Sequence, residues 1–192
     1  MTVKNKEFVE RCLDDFNKIA FNKSIDNWSK FNALKNSVRI NQYVARYVVE
    51  IAGKIVNVCE PIKRTTLLHL AMYDNKAAAK AYENRLILRI ADIDGISVAH
   101  MIAKFDRNIN TVKRMMKDEQ IATLSDNEGN TVAHQAANIY SIAVEMIERM
   151  PEIVNTKNSS GISVMQNAEN CRRHHESLMN SIFRELGKNL RE

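Results

Sequence analysis

The chain has 192 residues, long enough to bury a core as one domain or two. Only 5 glycines and 2 prolines accompany 45% apolar residues, which excludes an all-β fold with its many tight turns and excludes a disordered chain. The net charge of +5 is uneven: residues 1–63 hold eleven Lys/Arg against seven Asp/Glu, whereas residues 64–168 hold twelve of each.

The opening "MTVKNKEFVERCLDDF" has no apolar core of the kind a secretion signal needs, and no stretch reaches the ~18 apolar residues of a membrane span. Cys12, Cys59 and Cys171 are odd in number and far apart, which does not make a disulfide framework. The expectation is a cytoplasmic protein with no membrane association. Phe8, Val9, Cys12, Leu13, Phe16, Ile19 and Ala20 form one apolar stripe at helical spacing. "FNKSIDNWSKFN" then mixes turn formers with Phe21, Trp28 and Phe31. A second helix is expected with Val44, Tyr47, Val48, Ile51, Ala52, Ile55 and Val56 inward, broken at Pro61. Residues 1–62 read as a helical cap or as a separate head. Trp28 and these apolar helices leave monomer and homodimer both open.

Four later stretches resemble one another: "RTTLLHLAMYDN", "DIDGISVAHMIAKF", "DNEGNTVAHQAAN" and "NSSGISVMQNAENC". Aligned, they place His69, His100, His134 and Gln166 at steps of 31, 34 and 32 residues. In each of the last three copies a turn of the form Asp/Asn-x-x-Gly comes first, with Gly95, Gly129 and Gly161 free to take positive φ. Ser97, Thr131 and Ser163 then stand where a helix N-cap hydroxyl is useful. Two short helices follow, the second carrying Ile109, Val112, Met115 and Met116, or Ile142, Ala143, Met146, Ile147 and Met150. One such unit has too small a core to stand alone, so stacking is expected.

These segments resemble the ankyrin repeat, whose signature centres on T-P-L-H-x-A. The matching residues are Thr66–Ala71, Ser97–His100 and Thr131–His134, with Ser163–Gln166 as a more divergent copy. Leu67, Val98, Val132 and Val164 stand where the family has proline, and Asn75, Asp106, Tyr140 and Arg172 where glycine is usual between the paired helices. The resemblance implies an all-α, helical-repeat solenoid with short hairpin loops and helical caps. Repeats are expected over 63–171 (63–91, 92–125, 126–157 and 158 onward), followed by a capping helix over 172–192 in which Leu178, Ile182, Phe183 and Leu186 close the stack. It also implies that His69, His100 and His134 brace neighbouring hairpins rather than perform catalysis, with Gly95, Gly129 and Gly161 as structural partners.

No G-x-G-x-x-G, P-loop, G-x-S-x-G or H-E-x-x-H motif is present. Cys171, His174 and His175 form a metal-like cluster without a second ligand pair, so no metal and no cofactor are expected. The expected activity is therefore non-catalytic protein binding, as an inhibitor or effector that occludes its target in a bacterial or viral host-interaction setting. On the concave face of a solenoid, hairpin tips present Ile93, Ile96, Asn127, Glu128, Asn130, Lys157, Ser159 and Ile162. Ends of first helices present Tyr73, Asp74, Lys104, Phe105, Asn138, Ile139 and Asn170. Tyr73, Phe105 and Ile139 are the expected apolar anchors. The alternative is a nucleic-acid-binding protein using the basic N-terminal helices.

Overall fold

The structure, a computed structural model, describes residues 3–189, with side chains for residues 6–180. Among these residues it contains fourteen α-helices, one 3-10 turn and no strand, only four isolated antiparallel bridges. The all-helical class read from the sequence is the one observed. Among the described residues no helix is long and apolar enough to cross a membrane. The chain divides into two compact units, Met1–Thr111 and Val112–Glu192.

The first unit opens with α1 (Val3–Ala20), which packs on α2 (Asn27–Ile40) and α3 (Gln42–Glu50). The apolar stripe on α1 is buried only at Phe16 and Ala20; Val9, Cys12, Leu13 and Ile19 are half-buried and Phe8 is exposed. Tyr47 fixes the buried end, its ring edge-on to Phe16 at 6.1 Å and its hydroxyl donating to Asn17 Oδ1 at 3.0 Å.

Helix α2 lies where the sequence reading placed turn formers. Asp26 starts it: Oδ1 accepts from the Ser29 amide at 3.0 Å and Oδ2 from the Ser29 hydroxyl at 2.6 Å. Both bonds favour the carboxylate and hold its pKa below the ordinary value. Phe31, Leu34 and Val38, spaced 3 and 4 apart, then bury one face. The expected second helix is also divided, into α3 and α4 (Ala52–Ile55) at Ile51, and its Tyr47, Ile51 and Val56 are half-buried rather than enclosed.

The rest of this unit is two hairpin-and-helix segments. A bridge between Cys59 and Thr66 leads into α5 (Leu67–Ala71), then α6 (Asn75–Tyr82) and the single turn α7 (Arg85–Leu88). A bridge between Ala91 and Ser97 leads into α8 (Val98–Ala103), a 3-10 turn (Asp106–Asn108) and the start of α9 (Ile109–Met116), whose residues from Val112 on are counted in the second unit. Leu67 and Leu68 are fully buried where α5 meets α2 and α3, each worth roughly 1.5–3 kcal/mol in water-to-core transfer.

The second unit repeats this order. After the single turn α10 (Glu119–Ala122), a Ser125–Thr131 bridge leads into α11 (Val132–Ala136), α12 (Tyr140–Arg149) and the single turn α13 (Pro151–Val154). A Lys157–Ser163 bridge then leads into α14 (Val164–Asn189), 26 residues long and unbroken at Cys171. Helix α14 packs on α11, α12 and α13. Val164 and Ala168 are buried along it, whereas Leu178 is exposed. The side chains of Ile182, Phe183 and Leu186 lie outside the described residues.

Gly129 and Gly161 both adopt φ near +78°, at +77° and +78°. Their surroundings differ: a Cβ at Gly129 would sit 2.8 Å from the Ser159 amide nitrogen, while one at Gly161 would meet nothing within 4 Å. Gly161→Ala is expected to cost only the left-handed strain, about 1–2 kcal/mol in urea unfolding. Gly129→Ala is expected to cost clearly more, because backbone must also move; equal costs would show that the hairpins do not approach as described.

Candidate protein-binding surface

The hairpins are built from backbone groups that no extended ladder satisfies, so side chains must do it. Asp92 Oδ1 accepts from the amides of Asp94 (3.0 Å) and Ile96 (2.9 Å). Asp126 Oδ1 does the same for Glu128 (2.9 Å) and Asn130 (2.8 Å), and Asn158 Oδ1 for Ser160 (3.0 Å) and Ile162 (2.9 Å). In the first hairpin Glu60 takes this part, accepting from Ile62 and Lys63. The short side chain of Asp or Asn reaches back to its own turn, which sets the tip conformation.

Two of the histidines, His69 and His134, each join one hairpin to the next. His69 Nδ1 accepts from the Thr66 amide at 3.2 Å, so its proton sits on Nε2, which donates to the Ile96 carbonyl at 2.9 Å. His134 repeats the arrangement with the Thr131 amide at 3.0 Å and the Ile162 carbonyl at 3.1 Å. His100 Nδ1 accepts from the Ser97 amide at 3.2 Å. Further bonds run beside these ties: the Ile93 amide to Lys63 O at 2.8 Å, the Ser159 amide to Glu128 O at 2.9 Å, and Asn158 Nδ2 to Asn130 Oδ1 at 2.7 Å. Gln166 keeps only the capping half, with Oε1 accepting from the Ser163 amide at 2.7 Å. Among the described residues no hairpin follows it.

On the first unit the exposed set is compact in character. Tyr73 is 42% exposed and packs on the half-buried Phe105 with ring centroids 4.3 Å apart. The Arg107 guanidinium lies 4.9 Å from the Tyr73 ring centre, and its Nη1 donates to Tyr73 O at 3.2 Å. Arg107 was not among the residues expected from sequence; its place two residues after Phe105 was the available signal. Ile93 is 56% exposed at a tip, and Lys104 is exposed at the end of α8. Asp74 is committed elsewhere: Oδ1 caps α6 through the Ala77 amide at 2.8 Å and pairs with Arg46 Nε at 3.2 Å. Ile96 is half-buried, its amide and carbonyl both bonded.

The positions of Tyr73 and Arg107 are held by Asn108, which is 1% exposed. Its Nδ2 donates to Met72 O at 3.0 Å and Ile102 O at 3.2 Å, fastening the ends of two first helices.

On the second unit Asn127, Glu128, Lys157, Ser159, Ile162 and Asn170 are exposed. Asn130 is half-buried and bonded within the hairpins, and Asn138 Nδ2 turns back to the carbonyls of His134 and Gln135 at 3.4 and 3.3 Å. Ile139 departs from expectation. It is 5% exposed, preceding α12 as its N-cap residue, and belongs to the core rather than to an anchor set. His175 lies edge-on to Tyr140 at 3.9 Å, and among the described residues no group of three or more His, Cys, Asp or Glu is placed to hold a metal ion.

Comparison with protein-family models gives no matching family, and comparison with curated proteins gives no match. The chemistry of the surface therefore rests on its own geometry.

Burial lowers the pKa of His69 and His134 below the ordinary 6.5, against the opposing pull of their carbonyl partners. The unfolded chain then binds protons first. The contribution of these rings is complete above about pH 6.5 and is lost as pH falls through the lower, folded values. The urea midpoint is expected to drop between pH 7.5 and pH 5. The drop should be smaller in a His69→Gln, His134→Gln double variant, whose amide oxygens accept as Gln166 does but do not titrate; an unchanged slope would reject the neutral-ring assignment.

Proposed function

We propose that the chain is a helical-repeat solenoid of the ankyrin kind and that its work is non-catalytic protein binding, through hairpin tips and the adjoining ends of first helices. The recurrence of capping residue, imidazole and hairpin at one period supports the repeat reading. One observation carries the binding reading. Tyr73, Phe105 and Arg107 form an aromatic and cationic cluster at the ends of the first helices, with its backbone fixed by Asn108. Tyrosine and arginine are the residues that most often dominate binding energy, and a cluster already ordered before contact loses little entropy on binding.

Occlusion suits such a surface: a rigid patch covers a working face of the target without chemistry of its own. The setting we propose is the cytoplasm, where Cys12, Cys59 and Cys171 stay reduced, as their free state here allows. An inhibitor or effector acting on a host protein is the specific form of this reading.

The test is affinity capture from native extract with wild type and a Tyr73→Ala, Ile93→Ala variant. Both residues are exposed, so the variant is expected to melt within a few degrees of wild type. Capture of the principal protein partner is expected to fall at least about ten-fold. Undiminished capture would reject the surface. Capture dominated by RNA or DNA and steeply weakened by salt would instead indicate nucleic-acid binding through the N-terminal helices.

A further inference from the structure

Away from the hairpin tips, the first unit has an open recess of about 330 Å³ between the α3–α4 segment and the α7 turn. Buried Val49, Ala52 and Ile87 form its floor, and the half-buried Val56 and Ile90 stand at its sides. Leu86 projects at its edge with 80% of its surface exposed. Gly53 leaves the rim open, since a Cβ there would meet nothing within 4 Å.

Cations outnumber anions beside this recess: Lys54 and Arg89 stand against the exposed Glu83, which precedes the lining Asn84. Glu50, the single ionisable lining residue, is paired with Lys80. Lys54 follows Gly53 in the chain and Arg89 precedes Ile90; both are exposed and neither takes part in an ion pair among the described residues. Residues 1–91 as a whole carry sixteen Lys/Arg against nine Asp/Glu, so the long-range field has the same sign.

We propose that this recess docks an acidic amphipathic helix of a partner protein. One leucine- or phenylalanine-sized side chain sits on Ala52 and Ile87 beside Leu86, and carboxylates one turn away meet Lys54 and Arg89. The recess is the size of a site for one or two large side chains, and its apolar floor supplies the anchor energy. The excess of cations supplies selectivity and faster association. A lipid bilayer is disfavoured because a flat surface reaches Leu86 but not the floor. The site is separate from the hairpin tips and stands or falls independently of the binding reading given above.

The test selects peptides from a random phage-displayed library on the full-length chain, then measures the enriched peptides by fluorescence anisotropy. Enrichment of a large apolar residue flanked by Asp or Glu is expected. Gly53→Trp fills the recess from an open position, and Leu86→Ser removes a side chain that supports nothing beneath it; each is expected to weaken binding at least about ten-fold. Gly53→Ala should stay within about two-fold of wild type, and Lys54→Glu with Arg89→Glu should weaken binding most at low salt. The proposal is overturned by any of three results: no acidic-apolar enrichment, peptide affinity unchanged in both Gly53→Trp and Leu86→Ser, or phosphatidylserine vesicles binding through Leu86 while the peptides do not.

Discussion

A neutral imidazole is the part on which the hairpins depend. In His69 and in His134 one ring nitrogen accepts from the N-cap amide of its own helix, and the other donates to a carbonyl in the next hairpin. Only a ring with one donor and one acceptor does both, and burial keeps it in that form. The isolated bridges close each hairpin on itself and do not join it to a neighbour. Remove the ring and the buried N-cap amide is left without a partner, a cost of about 1–3 kcal/mol, while the carbonyl keeps only the bond it accepts within its own hairpin, from the Asp92 or Asn158 amide.

This arrangement divides the polar residues into two sets. Asp74, Asp92, Asp126, Asn108, Asn130 and Asn158 are consumed in closing turns, capping helices or tying carbonyls. They make the tips rigid and are not available as ligands. What remains outward are side chains such as Tyr73, Ile93 and Lys104. A surface sorted in this way favours recognition by shape and aromatic contact over reaction, which is the physical ground for the binding role we propose.

The sequence was most legible where spacing alone carries the information. Turn glycines at a common interval, a hydroxyl three residues before each imidazole, and paired small residues are all local patterns, and the hairpins and short helices stand where those patterns occur. Helix α2 was obscured because Asn, Lys and Ser dilute its apolar face, so that Asp26 looked like part of a turn rather than a cap. Ile139 misled for a different reason. A residue at the end of one helix and the start of another has no periodicity to assign it, and its direction is set by packing. Asp74 and Arg107 likewise depend on partners 28 and 34 residues away in the chain, which no local pattern reports.

The separation of those partners has a bearing on how the protein assembles. His69 reaches 27 residues ahead and His134 reaches 28, while the Asn108 bond to Met72 closes over 36. Loops of such similar size cost nearly the same entropy to close. No tie of this kind has to wait for distant parts of the chain to meet. A hairpin tied in this way, on a chain emerging from the ribosome, can lock as soon as the next about 30 residues have appeared.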